Sequence, residues 1–280
     1  MAIAAYPPRR ILVATDFSEP AGAAVARAAR LARAHDAGLT VVHVLPEHLD
    51  SGLAGHIRER LRAHVGEFSA QTAADIALRR GPVAPEIAAE AADIGADLVV
   101  VGAHGGDWIA GFFLGSTAEN VMRTLPVPVL LVKKPATSDY RTVILAVATS
   151  PASADAARFG GALTPEAEHI LAHSCTVVGE NLMRIYGATE GQIEQLRRTA
   201  TAVARSEIDR VAESLSRPPV RVIITEGHPP SRLVELCDAH SADLVVTGTG
   251  ARSPASYALL GSVAQHVMRQ AGADVLVVPA

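Results

Sequence analysis

The sequence predicts an α/β protein of two tandem domains, each a doubly wound, five-stranded parallel sheet with helices on both faces. Three observations lead to this prediction. The chain has 280 residues, which is more than one domain usually holds. Long stretches of it recur at a fixed offset. Each copy alternates continuous apolar runs with amphipathic segments, the pattern of buried parallel strands separated by helices.

The repeat is carried by segments that match across the chain. ADLVVVGAHG at 96–105 returns as ADLVVTGTGA at 242–251, and LGSTAENVMRTLPVPVLLV at 114–132 returns as LGSVAQHVMRQAGADVLVV at 260–278, both 146 residues later. RRILVATDFS at 9–18 matches RTVILAVATS at 141–150 after only 132 residues, so the second copy has gained 14, most simply within 176–200. We therefore expect one domain at 1–136 and a second at 140–280, with the linker KKPATSDY at 133–140.

The elements of each copy follow from its apolar runs. In the first copy we expect strands at 10–15, 39–45, 75–80, 97–102 and 128–132. Helices are expected at 20–36, 53–72, 84–94 and 115–124. In the second copy the strands are expected near 142–148, 168–175, 220–225, 243–248 and 274–278.

Composition excludes several classes of function. A formal net charge of −4 leaves no global basic field for nucleic acid or an anionic membrane. Cys175 and Cys237 stand in apolar contexts without a CxxC pair, which favours buried, reduced thiols, although a disulfide stays open. The N-terminus meets prolines and arginines before a signal-peptide core can form, and the longest uncharged stretch, 253–268, is short of a membrane span. We expect a soluble cytoplasmic protein.

The ligand site is expected where the strand order of the first sheet reverses. With the order 3-2-1-4-5, the ends of the first and fourth strands share one crevice. Asp16 follows the first strand, and Gly102 and Gly105 follow the fourth, where they would allow a sharp turn and a close approach to a ligand. Ser116 lies at a helix start, which favours an anion; it either caps the helix or donates to a phosphate oxygen. Asp16 suits a ribose hydroxyl.

The spacing Gly102-x2-Gly105-x9-Gly115-Ser116 resembles the universal stress protein family, in its ATP-binding branch. LVATDFS, VVHVL and VPVLLVKKP extend the resemblance over nearly all of residues 9–134. It implies Rossmann-like domains of the adenine nucleotide alpha hydrolase-like type and ATP bound with a divalent metal, Mg²⁺. It also implies that Asp16 and the backbone of Val44 hold the adenosine. The ribose and phosphates would be held by Gly102, Gly105, Gly115, Ser116 and Thr117.

The resemblance further implies that the fifth strand makes a dimer contact. In a tandem chain, residues 129–132 and 275–278 would make this contact between the two halves, as an intramolecular pseudo-dimer. A homodimer of whole chains stays open beside it.

The second half departs from this pattern. Ala148 stands where the first half has Asp16, and Ala251 stands in place of Gly105, although Gly250 is adjacent. Gly248, Gly261 and Ser262 are kept. We expect one competent nucleotide site per chain and a degenerate second one.

Other segments have two interpretations each. His104 either touches a phosphate or points outward from its turn. His169, His173 and Cys175 alternate on one strand and have the ligand types for zinc, but a histidine at the place of His173 is ordinary for this family. Trp108, Phe112 and Phe113 either pack their loop or form a lid or partner surface, and 176–200 is either a pocket wall or a longer lead into a helix.

No GxxxxGK[ST], HExxH, GxSxG or paired CxxC motif occurs, so we assign no catalytic residue. The leading hypothesis is a cytoplasmic ATP-binding regulatory protein of the stress response. The alternatives are an interaction or chaperone-like scaffold that does not use nucleotide, and a slow ATPase.

Overall fold

The computed structural model describes residues 7–49, 51–69, 72–103, 115–176, 179–249 and 260–279. The first half contains strands β1 to β5: Arg10–Ala14, Gly38–Leu45, Asp75–Arg80, Leu98–Gly102 and Val129–Val132. Its helices α1 to α4 are Glu19–His35, Ala54–Phe68, Val83–Ile94 and Ser116–Thr124, with a single 3₁₀ turn at Ser51–Leu53.

The second half repeats the order with one helix more. Its strands β6 to β10 are Thr142–Ala146, Glu168–Cys175, Arg221–Glu226, Leu244–Gly248 and Asp274–Val278. Its helices α5 to α9 are Pro151–Leu163, Glu180–Ile185, Glu190–Ser214, Pro229–Ala239 and Ser262–Gln270. The expected strands are all present, with ends that differ by at most two residues. The second helix is shorter than expected, since α2 ends at Phe68 rather than residue 72.

All ten strands form one sheet, in the order β3-β2-β1-β4-β5-β10-β9-β6-β7-β8. Each half has the expected 3-2-1-4-5 order with parallel pairing throughout. The halves join where β5 and β10 pair antiparallel, with Leu130 opposite Leu276. The fifth strands therefore make the contact between the halves that the resemblance implies.

Helices cover both faces of this sheet. Buried apolar side chains of α1, α2, α5 and α7 pack on one face, and those of α3, α4, α8 and α9 pack on the other. The strands between them, such as the fully buried residues 11–13, have apolar side chains on both faces, as expected of parallel sheets in α/β proteins. Among the described residues no helix is long and apolar enough to cross a membrane.

The first helix of each half starts in the same way. Ser18 caps α1 and Ser150 caps α5 by accepting a hydrogen bond from a first-turn N–H, and a proline follows within the first two helical positions. Two aspartates also correspond: Asp97 accepts from the N–H groups of Arg9 and Arg10, and Asp243 accepts from the matching pair at 141 and 142. The two halves thus share local structure as well as topology.

Candidate functional site

The candidate site lies at the carboxyl edge of β1 and β4. These strands are direct neighbours, with Ile11 paired to Leu98 and Val13 paired to Val100. Asp16 lies two residues beyond the end of β1, and Gly102 is the last residue of β4. Because the two strands are parallel, their carboxyl ends open on the same edge of the sheet, at the point where the strand order reverses.

Asp16 is exposed and organises the start of α1. Its Oδ1 accepts a hydrogen bond of 3.0 Å from the N–H of Ser18 and a second from the Ser18 hydroxyl. The Ser18 oxygen in turn accepts from the N–H of Ala21 at 3.3 Å. The carboxylate is therefore held beside the first turn of α1, on the solvent side.

The residue after Asp16 has a strained backbone. Phe17 has φ of 66°, in the left-handed region that non-glycine residues rarely occupy. Its ring lies 4.4 Å from the His43 ring between centroids, and the guanidinium carbon of Arg60 lies 4.6 Å from the ring centroid. Backbone strain of this kind costs on the order of 1–3 kcal/mol and persists only where its surroundings impose it.

A cluster of polar groups surrounds this strained residue. The N–H of Phe17 donates to Thr15 Oγ1 at 3.1 Å, and the same hydroxyl is hydrogen-bonded to His64 Nε2 at 2.9 Å. The Thr15 carbonyl accepts from Nδ1 of His43 at 2.8 Å. Thr15 and His64 are buried, and burial is the main cause that lowers the pKa of His64 below its usual value. The role of His64 could not be predicted from the sequence, because it contacts Thr15 across 49 residues.

Gly102 has a packing role that was not predicted from the sequence. It is an extended strand residue rather than a turn, and its backbone lies against the first turn of α1. A Cβ at this position would lie 3.0 Å from the carbonyl oxygen of Pro20, closer than side chains normally come. The missing side chain thus allows α1 to pack on β4. Gly105 and His104 lie outside the described residues, as do Trp108, Phe112 and Phe113.

The start of α4 has donors without side-chain caps. Gly115 is the N-cap residue and Ser116 the first helical residue, and no side-chain cap occurs among the described residues; Ser116 therefore does not hold the N-cap position considered for it. Ser116 and Thr117 are exposed. The N–H of Gly115 donates to the carbonyl of Ala103 at 3.0 Å, which brings the end of β4 next to the start of α4. First-turn N–H groups at such an end attract anions.

Val44 lies on β2, one residue before the strand ends. It is half-buried, pairs with Arg79 of β3, and packs toward the face of the sheet that α3 and α4 cover. Arg79 forms ion pairs with Glu90, at 2.5 Å, and with Asp93 of α3. The backbone of Val44 therefore belongs to the same carboxyl edge as Asp16, one strand away.

The second half keeps part of this arrangement. The N–H of Gly261 donates to Thr249 at 3.1 Å, Gly261 is the N-cap of α9 without a side-chain cap, and Ser262 is exposed. His173 repeats the bond of His43, with Nδ1 2.8 Å from the carbonyl of Val147. Gly248 ends β9, and a Cβ there would lie 3.6 Å from its nearest neighbour, which is ordinary contact. Gly250 and Ala251 lie outside the described residues.

The second half lacks both the acid and the left-handed backbone of the residue that follows it. Ala148 replaces Asp16, and Thr149, which follows it, has no left-handed backbone; among the described non-glycine residues only Phe17, Asp36 and Ser241 have positive φ. At this position the left-handed backbone therefore occurs only in the half that keeps the carboxylate.

The histidines of β7 form hydrogen bonds within the protein and are not grouped as metal ligands. His169 Nε2 is bonded to the Thr164 hydroxyl at 3.0 Å, while His173 binds a backbone carbonyl. Within the described part of the chain, no three His, Cys, Asp or Glu side chains are grouped to hold a metal. Cys175 and Cys237 are free, buried thiols, and burial raises the pKa of Cys237 to about 12.

The additional segment of the second half is largely helical. It forms α6 and the start of α7, which begins with a reciprocal cap between Thr189 and Gln192. Arg197 of α7 pairs with Glu180 of α6 at 2.5 Å, and Arg184 bridges Glu180 and Glu190. α7 runs for 25 residues against the 15 of α2.

Comparison with known proteins agrees with this architecture. The chain matches the universal stress protein family twice, over residues 7–133 and 139–279. It is 31% identical over 292 aligned positions to a universal stress protein of Mycolicibacterium smegmatis, covering 96% of each chain. A universal stress protein of Thermus aquaticus is 34% identical over 135 residues, 45% of this chain and 98% of its own length.

Among solved structures, the fold is similar to a universal stress protein from Archaeoglobus fulgidus, with a TM-score of 0.70 at 18% identity and coverage of 98% and 99% of the two chains. A functionally unknown protein from Pseudomonas aeruginosa gives a TM-score of 0.71 at 19% identity, over 98% and 93%. With both halves matched, the chain belongs to the universal stress protein family, as a tandem member.

Proposed function

We propose that the N-terminal half binds an adenine nucleotide, ATP with Mg²⁺, at the carboxyl edge of β1 and β4. One observation carries the proposal: Asp16 is held exposed beside the strained Phe17, on the same edge as the uncapped start of α4. A carboxylate and a helix N-terminus are complementary to the two ends of a nucleotide, and strain is often retained at binding sites.

Each part of the nucleotide has a matching group in this proposal. The Asp16 carboxylate accepts hydrogen bonds from the ribose hydroxyls, and the backbone of Val44 borders the adenine. The first-turn N–H groups of α4, with the hydroxyls of Ser116 and Thr117, donate to the phosphates. Gly102, Gly105 and Gly115 complete the phosphate loop.

Mg²⁺ fits this donor set through the nucleotide. The exposed side chains that the structure describes at the start of α4 are hydroxyls, and the nearby Glu119 is engaged by Arg123 at 2.7 Å and by Arg269 at 3.3 Å. Magnesium ions commonly keep several waters and are bound through substrate phosphates, so phosphate oxygens would be the main ligands.

We infer one nucleotide per chain. The second half keeps Gly248, Gly261 and Ser262 but has Ala148 in place of the acid, and its backbone is unstrained there. Loss of a charge-assisted hydrogen bond costs about 1.5–3 kcal/mol, or roughly tenfold to a hundredfold in affinity. Occupancy of the first site would then act as a regulatory signal in the stress response, through partners or assembly.

The decisive experiment is titration calorimetry with ATP and MgCl₂, together with mass spectrometry of any nucleotide retained on purification. We expect one site per chain and an affinity about tenfold to a hundredfold lower for Asp16→Ala. Asp75→Ala is the matched control, because it removes an exposed carboxylate at the start of β3, at the opposite end of the strands, and it should bind ATP like the parent. Two tight sites per chain, or Asp16→Ala binding ATP as well as the parent, would overturn the proposal.

A further inference from the structure

Among the described residues, no strand pairs with the far edge of the sheet in the second half. β8, Arg221–Glu226, is the last strand in the sheet order and pairs with β7 on one side only. Such an edge presents a row of backbone N–H and C=O groups that another extended segment can pair with. Residues 222–225 are half-buried, and the first three of them are Val-Ile-Ile, so the middle of this edge strand is apolar.

A groove runs along this edge beneath α7. The helix packs mainly on β7 and less on β8, which leaves a cavity of about 660 Å³ between the helix and the edge strand. Residues 222–224, Val-Ile-Ile, line one side of it. Arg198, Thr201, Ala202 and Arg205 line the other. The two arginines are seven residues apart, about two helical turns or roughly 10 Å along α7.

The charge of the groove is polarised along its length. α7 ends close to the start of β8, while Arg197 of α7 lies 3.9 Å from Glu226 at the end of β8, so helix and strand run in opposite directions. Arg205 therefore lies toward Arg221, and Arg198 toward Glu226. Among the residues that line the groove, the end near Arg205 has Arg205 and Arg221, whereas the other end has Arg198 and Glu226. Asp209 of α7, 3.2 Å from Arg205, lies beside the first end.

The arginines of the groove are available to a ligand. Arg221 is exposed and forms no ion pair with a described residue. Arg205 pairs with Asp209 at 3.2 Å and Arg198 with Glu194 at 3.1 Å, but both pairs are solvent-exposed neighbours on one helix. Exposed pairs of this kind contribute little, so an incoming carboxylate can replace the helical partner.

We propose that this groove binds an extended acidic peptide segment of another protein, which adds to β8 as an additional strand of the sheet. The open edge supplies backbone hydrogen bonds, and residues 222–224 supply apolar contacts for alternate side chains. The guanidinium groups of Arg205 and Arg221 bind carboxylates of the peptide through bidentate hydrogen bonds. The apolar wall and the free strand edge favour a peptide over nucleic acid, whose phosphates would use only the arginines. The proposal does not depend on nucleotide binding in the first half.

The test is fluorescence polarisation with the full-length protein and a labelled peptide of about eight residues that alternates glutamate and valine, long enough to span β8. We expect saturable binding that weakens with salt, and roughly tenfold weaker binding by Arg205→Glu/Arg221→Glu. Arg210→Glu, an exposed change on the same helix outside the groove, should bind like the parent. Circular dichroism and thermal unfolding show whether the double variant is folded; Arg205→Gln/Arg221→Gln replaces it if it is not.

Two further probes separate strand addition from simple charge attraction. A peptide of the same sequence with alternate backbone nitrogens methylated keeps its charge but cannot pair as a strand, and we expect it to bind roughly tenfold more weakly. The proposal is overturned if the methylated peptide, a lysine–valine peptide or a single-stranded oligonucleotide binds as well as the acidic one. It is equally overturned if the arginine variants change nothing, or if light scattering shows that a second copy of the chain covers the groove.

Discussion

The hydroxyl of Tyr140 donates a hydrogen bond of 2.6 Å to Oδ2 of Asp274, next to the boundary where β5 and β10 pair. Asp274 is completely buried at the start of β10, and its other oxygen accepts from the N–H groups of Lys133 and Lys134 at 2.8 and 3.1 Å. Arg27 of α1 lies over the Tyr140 ring at 3.9 Å and approaches the carboxylate to 3.7 Å. The antiparallel joint of the sheet is thus fixed by a buried polar cluster as well as by apolar contacts.

Removing the hydroxyl of Tyr140 should destabilise the antiparallel pairing of β5 and β10. In Tyr140→Phe the buried carboxylate loses its closest donor, which we expect to lower the free energy of unfolding by about 1–3 kcal/mol. Urea denaturation of the full chain measures it. Tyr186→Phe is the matched control, since Tyr186 is 81% exposed, and its effect should stay within about 0.5 kcal/mol. Equal stability of the two variants would show that Tyr140 does not hold Asp274.

Lys133 should make stability depend on pH in the alkaline range. Burial lowers the pKa of its amine to about 8, while the ammonium donates to the carbonyl of Ala271 at 2.7 Å. Between pH 8 and the unfolded value of 10.5, the unfolded chain binds more protons than the folded one, so stability rises with pH. Relative to Lys133→Met, the free energy of unfolding of the parent should rise by at most about 1.4 kcal/mol per pH unit in this window.

The measurement is a set of urea denaturation curves from pH 7 to 9.5, read as the difference between parent and variant. Lys134→Met serves as the control, because Lys134 is the adjacent lysine and its side chain is exposed. A difference that stays constant across this range for Lys133→Met would contradict the lowered pKa.

Gly102 and Gly248 end equivalent strands but should differ in their tolerance of alanine. A Cβ at 102 lies 3.0 Å from the Pro20 carbonyl oxygen, and backbone there cannot move without shifting α1. At 248 the nearest atom is 3.6 Å away. We expect Gly102→Ala to cost about 1–3 kcal/mol of unfolding free energy and Gly248→Ala less than about 0.5. Chemical denaturation compares the two variants directly. An equal loss of unfolding free energy in both would show that the approach of Gly102 to Pro20 is not what limits the side chain there.

Much of the fold could be predicted because each strand is a continuous apolar run and the repeat shows every run twice. The convergence of the β1 and β4 ends follows from strand order alone. The contacts that shape the site could not be predicted, because Thr15 and His64 are 49 residues apart and His64 belongs to no motif. Tyr140 and Asp274 are 134 residues apart. One signal was available there: Asp274 stands where the first copy has Pro128, a charged residue at the start of an otherwise apolar strand.

His64 should make the first half sensitive to acid. Burial lowers its pKa below the usual 6.5, so as pH falls through that value the unfolded chain takes up a proton that the folded chain resists. Above pH 6.5 the His64 imidazole is neutral in both states and has no pH effect on the free energy of unfolding. Below pH 6.5 this free energy falls by at most about 1.4 kcal/mol per pH unit. Relative to His64→Gln, the parent should therefore lose stability between pH 6.5 and 5. His56→Gln, on the exposed side of the same helix, should keep the parent's pH profile.

Because His64 is hydrogen-bonded to Thr15, and Thr15 accepts from the Phe17 N–H, the ATP affinity of the parent should fall over the same pH range. An ATP affinity that does not change with pH there would show that this cluster does not contribute to the proposed site.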